Sequence, residues 1–217
     1  MRVRNGSHFF FRNRGDSLEV KISQGNIKMG AIPSVSLPAG KTCAKNCECF
    51  SKCYARKLER LRKTVRDAYQ HNLELLFNDP DTYWREVEAA IMLTRFFRFH
   101  VSGDIVNDDY LNHMVKIAEN NQHCQILCFT KRYDIINKWL DTNYQFPPNL
   151  HIIFSIWKDF KYNNKYSLPE AHVRYRDGTT TVKENYIECN GNCAECAKTD
   201  GGCWTLESGQ AVVFNEH

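Results

Sequence analysis

A single α/β domain built on a parallel sheet is what this sequence predicts, and three observations predict it. Through the middle third, short β-rich runs alternate with amphipathic helical patterns, which is the signature of βαβ units. Those β-rich runs end in polar residues, as the ligand-facing rim at the carboxyl ends of parallel strands should. The chain has 217 residues, 42% of them hydrophobic, enough for one domain over residues 1–217 with a sizeable core and a small cysteine-bearing tail.

Up to about Pro38 the chain reads as extended or irregular, with candidate strands at His8–Arg12 and Leu18–Ile22 on either side of a Gly15-Asp16 turn. Beyond Cys53 the pattern turns helical. Tyr54, Leu58, Leu61, Val65, Ala68 and Leu73 recur at steps that predict one long amphipathic helix starting directly after that cysteine. Asn78-Asp79-Pro80-Asp81 ends it, and Asp81 or Thr82 is expected to cap a second helix with Tyr83, Val87, Ala90, Ile91 and Leu93 on its apolar side. Phe96–Val101, Cys124–Thr130 and Leu150–Trp157 then read as strands, separated by helical patterns at Asp108–Glu119 and Arg132–Leu140. Lys161–Thr181 is polar and Tyr-rich, with turn signals at Asn163-Asn164 and Asp177-Gly178, and is expected to be a loop or hairpin leading to the tail.

Eight of the ten cysteines fall in two compact groups: Cys43, Cys47, Cys49 and Cys53 in a loop over residues 42–57, and Cys189, Cys193, Cys196 and Cys203 over residues 186–204. Soft thiolates converging from a turn-rich segment suit zinc or an iron–sulfur cluster. A disulfide scaffold is the rival reading. The opening residues lack the apolar stretch of a secretory signal, so a reducing cytoplasm is expected, where clustered thiols are metal ligands or catalytic groups more often than disulfides. The irregular spacing of the first group leans toward iron–sulfur, whereas Cys193-x2-Cys196 with two outlying cysteines is zinc-like as well. Gly191, Gly201 and Gly202 would let that short segment wrap a closed site.

The rim residues at the strand ends are Ser102-Gly103-Asp104, Thr130-Lys131 and Ser155, and these are the candidate cofactor-binding positions. An ordinary strand-to-helix turn, with Asp104, Asn107 or Asp108 as the helix cap, accounts for the first of them equally well. His100 reads as a core histidine, and Cys124 and Cys128 as small buried hydrophobes. Net charge is +4, and Lys52, Arg56, Lys57, Arg60, Arg62, Lys63 and Arg66 crowd one stretch, which suits a solvated helix face or a nucleic-acid surface. No apolar run approaches the length of a membrane span, so no membrane partner is expected.

The stretch from Ser23 through Asn26, Met29, Gly30, Pro33, Leu37-Pro38-Ala39-Gly40 and Thr42-Cys43, together with Cys53-Tyr54-Ala55-Arg56-Lys57, Arg98-Phe99-His100-Val101-Ser102-Gly103-Asp104 and the closing Cys193, Cys196 and Cys203-Trp204, resembles the bacteriophage gene-product-88-like proteins. That family is in turn distantly similar to radical S-adenosylmethionine (SAM) enzymes. The resemblance implies a partial (β/α) barrel, a [4Fe–4S] cluster on the first cysteine loop, SAM held near Ser102–Asp104, an electron donor as partner and a location in the phage-infected host cell. Cys49-x3-Cys53 would supply part of the C-x3-C-x2-C pattern of those enzymes, which is itself absent, and Cys43 and Cys47 compete for the remaining place. The tail would carry a second cluster, or zinc. The alternative is a non-catalytic, metal-stabilised module that binds nucleic acid or protein. No residue set names a substrate.

Overall fold

The computed structural model describes residues 19–44, 49–158, 161–182 and 184–216. Eight strands form one sheet: β1 (Ile22–Ser23), β2 (Ser34–Val35), β3 (Phe96–Phe99), β4 (Gln125–Thr130), β5 (Leu150–Ser155), β6 (Glu170–Arg174), β7 (Tyr186–Glu188) and β8 (Ala211–Asn215). Their spatial order is β1-β2-β3-β4-β5-β6-β8-β7. Every neighbouring pair is parallel except β1 with β2. The parallel α/β expectation therefore stands. The helices are α1 (Cys49–Lys52), α2 (Tyr54–Leu61), α3 (Lys63–Asn78), α4 (Pro80–Met92), α5 (Asp108–Asn120), α6 (Tyr133–Asn143) and α7 (Cys193–Lys198), followed by a 3-10 turn at Gly202–Trp204.

Alternation along the strands divides the core in two. Phe97 and Phe99 of β3, Ile126 and Cys128 of β4, and Ile152 and Phe154 of β5 pack with α3, α4, α5 and α6 in one cluster. Their sequence neighbours Phe96, Leu127, Phe129 and Ile153 join a second cluster, with Val212 of β8, Met29, Ile32 and the tail residues Ala197 and Trp204. The long helices thus share one layer, and the cysteine tail covers the other face.

Several boundaries differ from the sequence expectation for physical reasons. The single helix after Cys53 is two, α2 and α3, parted at Arg62, whose backbone is extended. On α2 the anticipated apolar stripe faces outward: Leu61 is 65% exposed, and the buried position is Ala55. The cap of α4 is Asp79, whose carboxylate accepts from the Thr82 N–H (3.1 Å), with Pro80 in the first turn, where its missing N–H costs nothing. Leu93, just past that helix, is 90% exposed. The segment expected to be a loop contains β6, an interior strand between β5 and β8. Its polar side chains are partnered, His172 with Glu170 Oε2 (2.8 Å) and Thr181 Oγ1 (2.6 Å), so a low mean hydropathy conceals a strand. The expected strand His8–Arg12 and the Gly15-Asp16 turn lie outside the described residues.

Candidate functional site

The carboxyl ends of β3, β4 and β5 meet under the cysteine loop, and Asp104 is the knot that joins them. Its Oδ1 accepts from Thr130 Oγ1 (2.6 Å) and from the Ile105 N–H (2.8 Å), and its Oδ2 from the Lys131 N–H (2.9 Å). Burial raises the Asp104 carboxyl above its usual range, while those three donors oppose the shift. The helix cap nearby is Asn107, which accepts from the Tyr110 N–H (2.9 Å), so Asp104 is free of that duty. Lys131 extends the network, its Nζ donating to Ser155 Oγ (2.8 Å). Asp104, Thr130, Lys131 and Ser155 are therefore one hydrogen-bonded set at the ends of three strands, whereas Ser102 bonds to Glu59 instead.

Gly103 has φ +83°, and a Cβ there would come within 2.8 Å of the Leu37 carbonyl and 2.7 Å of Thr42 Oγ1. Only glycine lets the strand end lie this close to the start of the cysteine loop. Thr42 Oγ1 also accepts from the Asp104 N–H (3.0 Å). Two further residues, silent in the sequence, hold the loop. Glu59 of α2 accepts from Ser102 Oγ (2.7 Å) and from the Ala39 N–H (2.9 Å), and Ser36 Oγ accepts from the Val101 N–H (3.1 Å). A hydropathy pattern cannot find Glu59, because the inner side of α2 carries a polar contact where a core residue was expected.

The loop brings Cys43 and Cys53 into electrostatic range of each other. Burial pushes the Cys43 thiol up to about 11, the Gly40 N–H lowers it, and the charges of Asp104 and Cys53 add to the rise. Cys49 begins α1, and Cys47 lies outside the described residues. A cleft of about 1530 Å³ opens here, lined by Thr42, Cys43, Phe50, Lys131, Arg132 and Tyr133 among others. A second cleft, of about 700 Å³, lies against Cys53 and shares Phe50 and Ser51 with the first.

In the tail, Cys189, Cys193, Cys196 and Cys203 all pack against the second core cluster. Burial pushes the Cys203 thiol up to about 12, with Cys189 and Cys193 adding to it, so these sulfurs sense one another. Two features of this pocket fit a thiolate centre. Gly202 has φ +64°, and a Cβ there would sit 2.6 Å from Cys196 Sγ. Arg98 of β3, 4.8 Å over the Phe129 ring, opposes the rise of both Cys193 and Cys203, and its buried Nε has no partner among the described residues. A cation beside sulfurs stabilises their anionic form. All nine described cysteines are free, which removes disulfides among them. Among the described residues no three His, Cys, Asp or Glu side chains stand grouped closely enough to hold a metal ion.

His100 is buried, with Nε2 2.8 Å from the Tyr110 hydroxyl, as expected of a core histidine. Cys124 and Cys128 are fully buried. No helix among the described residues is long and apolar enough to cross a membrane.

The profile of a family described as Gene product 88 matches residues 12–206. Gene 88 protein of Mycobacterium phage L5 is 30% identical over 121 residues, covering 49% of this chain and 51% of the relative. Gene 88 protein of Mycobacterium phage D29 is 29% identical over 121 residues, covering 49% and 50%. The chain thus spans about half the length of the curated relatives it matches. No solved structure matches it.

Proposed function

The chain belongs to the gene product 88 family, and from that premise we propose that it is a phage iron–sulfur protein on a partial (β/α) barrel, similar to a reduced radical SAM enzyme. The barrel reading is supported by the run of parallel strands β2-β3-β4-β5-β6-β8 with the long helices gathered in one layer. One observation carries the functional reading: the cysteine loop leaves β2 and closes over the ends of β3, β4 and β5, beside a cleft that both Cys43 and Lys131 line.

Cys49, Cys53 and one of Cys43 and Cys47 would hold the first cluster, and Cys189, Cys193, Cys196 and Cys203 the second. Bound there, the first cluster would supply an electron to the sulfonium of SAM, and the second would tune or relay electrons. The chain's own part is to bind and orient. Lys131, held by Ser155, offers an ammonium to a carboxylate in the cleft. Asp104, with three donors already on it, keeps the strand ends in register and retains acceptor capacity for an ammonium. Gly103 and Glu59 fix the loop that carries the thiols.

A second reading is favoured by the tail alone. Four thiols wrapped by a glycine-rich segment also suit a closed zinc site, and zinc at both sites would make the protein a metal-stabilised binding module. Anaerobic reconstitution with iron and sulfide separates the two. The proposal expects a brown protein with about four irons per cluster, and heat on titration with SAM when the cluster is intact and reduced. A colourless protein that holds zinc and ignores SAM supports the module instead.

A further inference from the structure

We propose that the two clefts flanking the cysteine loop bind single-stranded nucleic acid across the carboxyl ends of the strands. The smaller cleft is walled by Lys52, Arg56, Lys57, Arg60, Lys158 and Arg176, against only two carboxylates, Asp177 and Glu216. The larger adds Lys41, Lys131, Arg132 and Lys161, against Asp134. Because Phe50 and Ser51 line both, α1 is the shared ridge and the positive surface is continuous past the cysteines. This excess is local, in a chain whose whole net charge is +4.

A solvated helix face would explain cations on α2, but it would not build a concave wall from separate elements. Lys158 and Arg176 come from beyond β5 and β6, far from α2 in sequence. Some cleft cations are matched, Lys52 by Glu216 and Arg132 by Asp134, as Lys63 is by Asp67 and Lys165 by Asp141 outside the clefts. The side chains of Lys57 and Arg60, by contrast, make no hydrogen bond or ion pair among the described residues, while Arg56 is fixed 3.6 Å over the Phe50 ring and Lys158 lies 4.9 Å over that of Tyr175. Unmatched cations along a groove suit a run of phosphates, whose counterions they displace.

Aromatic faces decide for unpaired bases. Phe50 is 47% exposed and Tyr162 40% exposed, one on the shared ridge and one in the larger cleft. Such rings stack bases that a duplex would hide, in grooves that track the backbone by charge. That the strand would be the substrate of the cysteine-loop site rests on the iron–sulfur reading; the binding does not.

Fluorescence anisotropy with labelled, unstructured DNA and RNA oligonucleotides of about 20 nucleotides, longer than a typical single site, tests this on the full chain before and after iron loading. Wild type should bind one or both with Kd on the order of micromolar at about 50 mM salt and much more weakly at about 200 mM; the stronger arm names the sugar. Lys57→Glu with Arg60→Glu, both at exposed positions, should weaken binding at least tenfold and flatten the salt slope by about 1.4. Lys116→Glu on α5 supplies half that charge change away from the clefts and should do little. Tyr162→Ala should weaken binding severalfold at an unchanged slope. Tighter binding of duplex than of single strands, no binding at about 50 mM salt, or equal losses from the α2 pair and Lys116→Glu would each overturn the proposal. Iron retained without oligonucleotide binding sinks this inference alone, whereas binding without iron sinks only the cluster reading.

Discussion

Asp104 and His100 are both buried polar residues near the end of β3, and each is kept there by a different balance. Asp104 gathers three donors, and removing its carboxylate would strand them at about 1–3 kcal/mol for each donor left unsatisfied. Its position at a strand end was readable from Ser102-Gly103-Asp104, but its partners on β4 were not, because they depend on which strands lie side by side. His100 has one partner among the described residues, the Tyr110 hydroxyl, and sits among Phe99, Arg98 and Tyr110. Burial, with help from Arg98, pushes its pKa down to about 3 from an ordinary value near 6.5. The folded state therefore stays neutral where the unfolded chain takes up a proton. Stability should fall as pH drops from about 6.5 toward about 3, by about 1.4 kcal/mol per pH unit in the middle of that window. Denaturant titrations at two pH values inside it, on wild type and His100→Gln, should give the wild type the steeper loss by about that amount. Equal slopes would mean that His100 is not held neutral.

Among the elements, α2 departs most from its sequence pattern. A regular apolar spacing continued from Tyr54 into α3, yet the inner side of α2 is Ala55 and Glu59, set to hold the cysteine loop rather than to fill a core. Periodicity reads cores, so a helix whose inner contact is a carboxylate is misread by it. Leu61→Ala should then change stability by no more than about 0.5 kcal/mol, while Leu76→Ala on α3, in the main core cluster, should cost about 2–5 kcal/mol. Thermal or chemical denaturation of the pair checks both, and comparable losses would put Leu61 back in a core. The strands with uniform apolar runs, β3, β4 and β5, were legible to within two residues. β6 was not, since its polar residues are satisfied by neighbours that no local window contains. β8 did carry a signal, the apolar run Ala211-Val212-Val213-Phe214, beyond the last cysteine.

At the scale of the whole molecule, the sheet sets the two cysteine groups in relation to each other. One group lies over the strand ends and the other packs on the face away from the long helices. Burial raises the Tyr54 phenol beside Cys53 and Arg98 opposes it, and the same guanidinium acts on Cys193 and Cys203. The sequence announced two cysteine groups by spacing alone. It could not announce that Arg98 acts both on Tyr54, the neighbour of Cys53, and on the tail cysteines Cys193 and Cys203, because that follows from the order of β3 in the sheet. The central proposal is that these groups hold two separate metal centres on one fold. Metal and sulfide analysis of anaerobically reconstituted wild type beside Cys196→Ser/Cys203→Ser tests it most directly, with circular dichroism to confirm folding. The account predicts that the double variant loses one centre's complement and keeps the other's; a folded double variant stripped of all metal, or a wild type that takes up none, would contradict it.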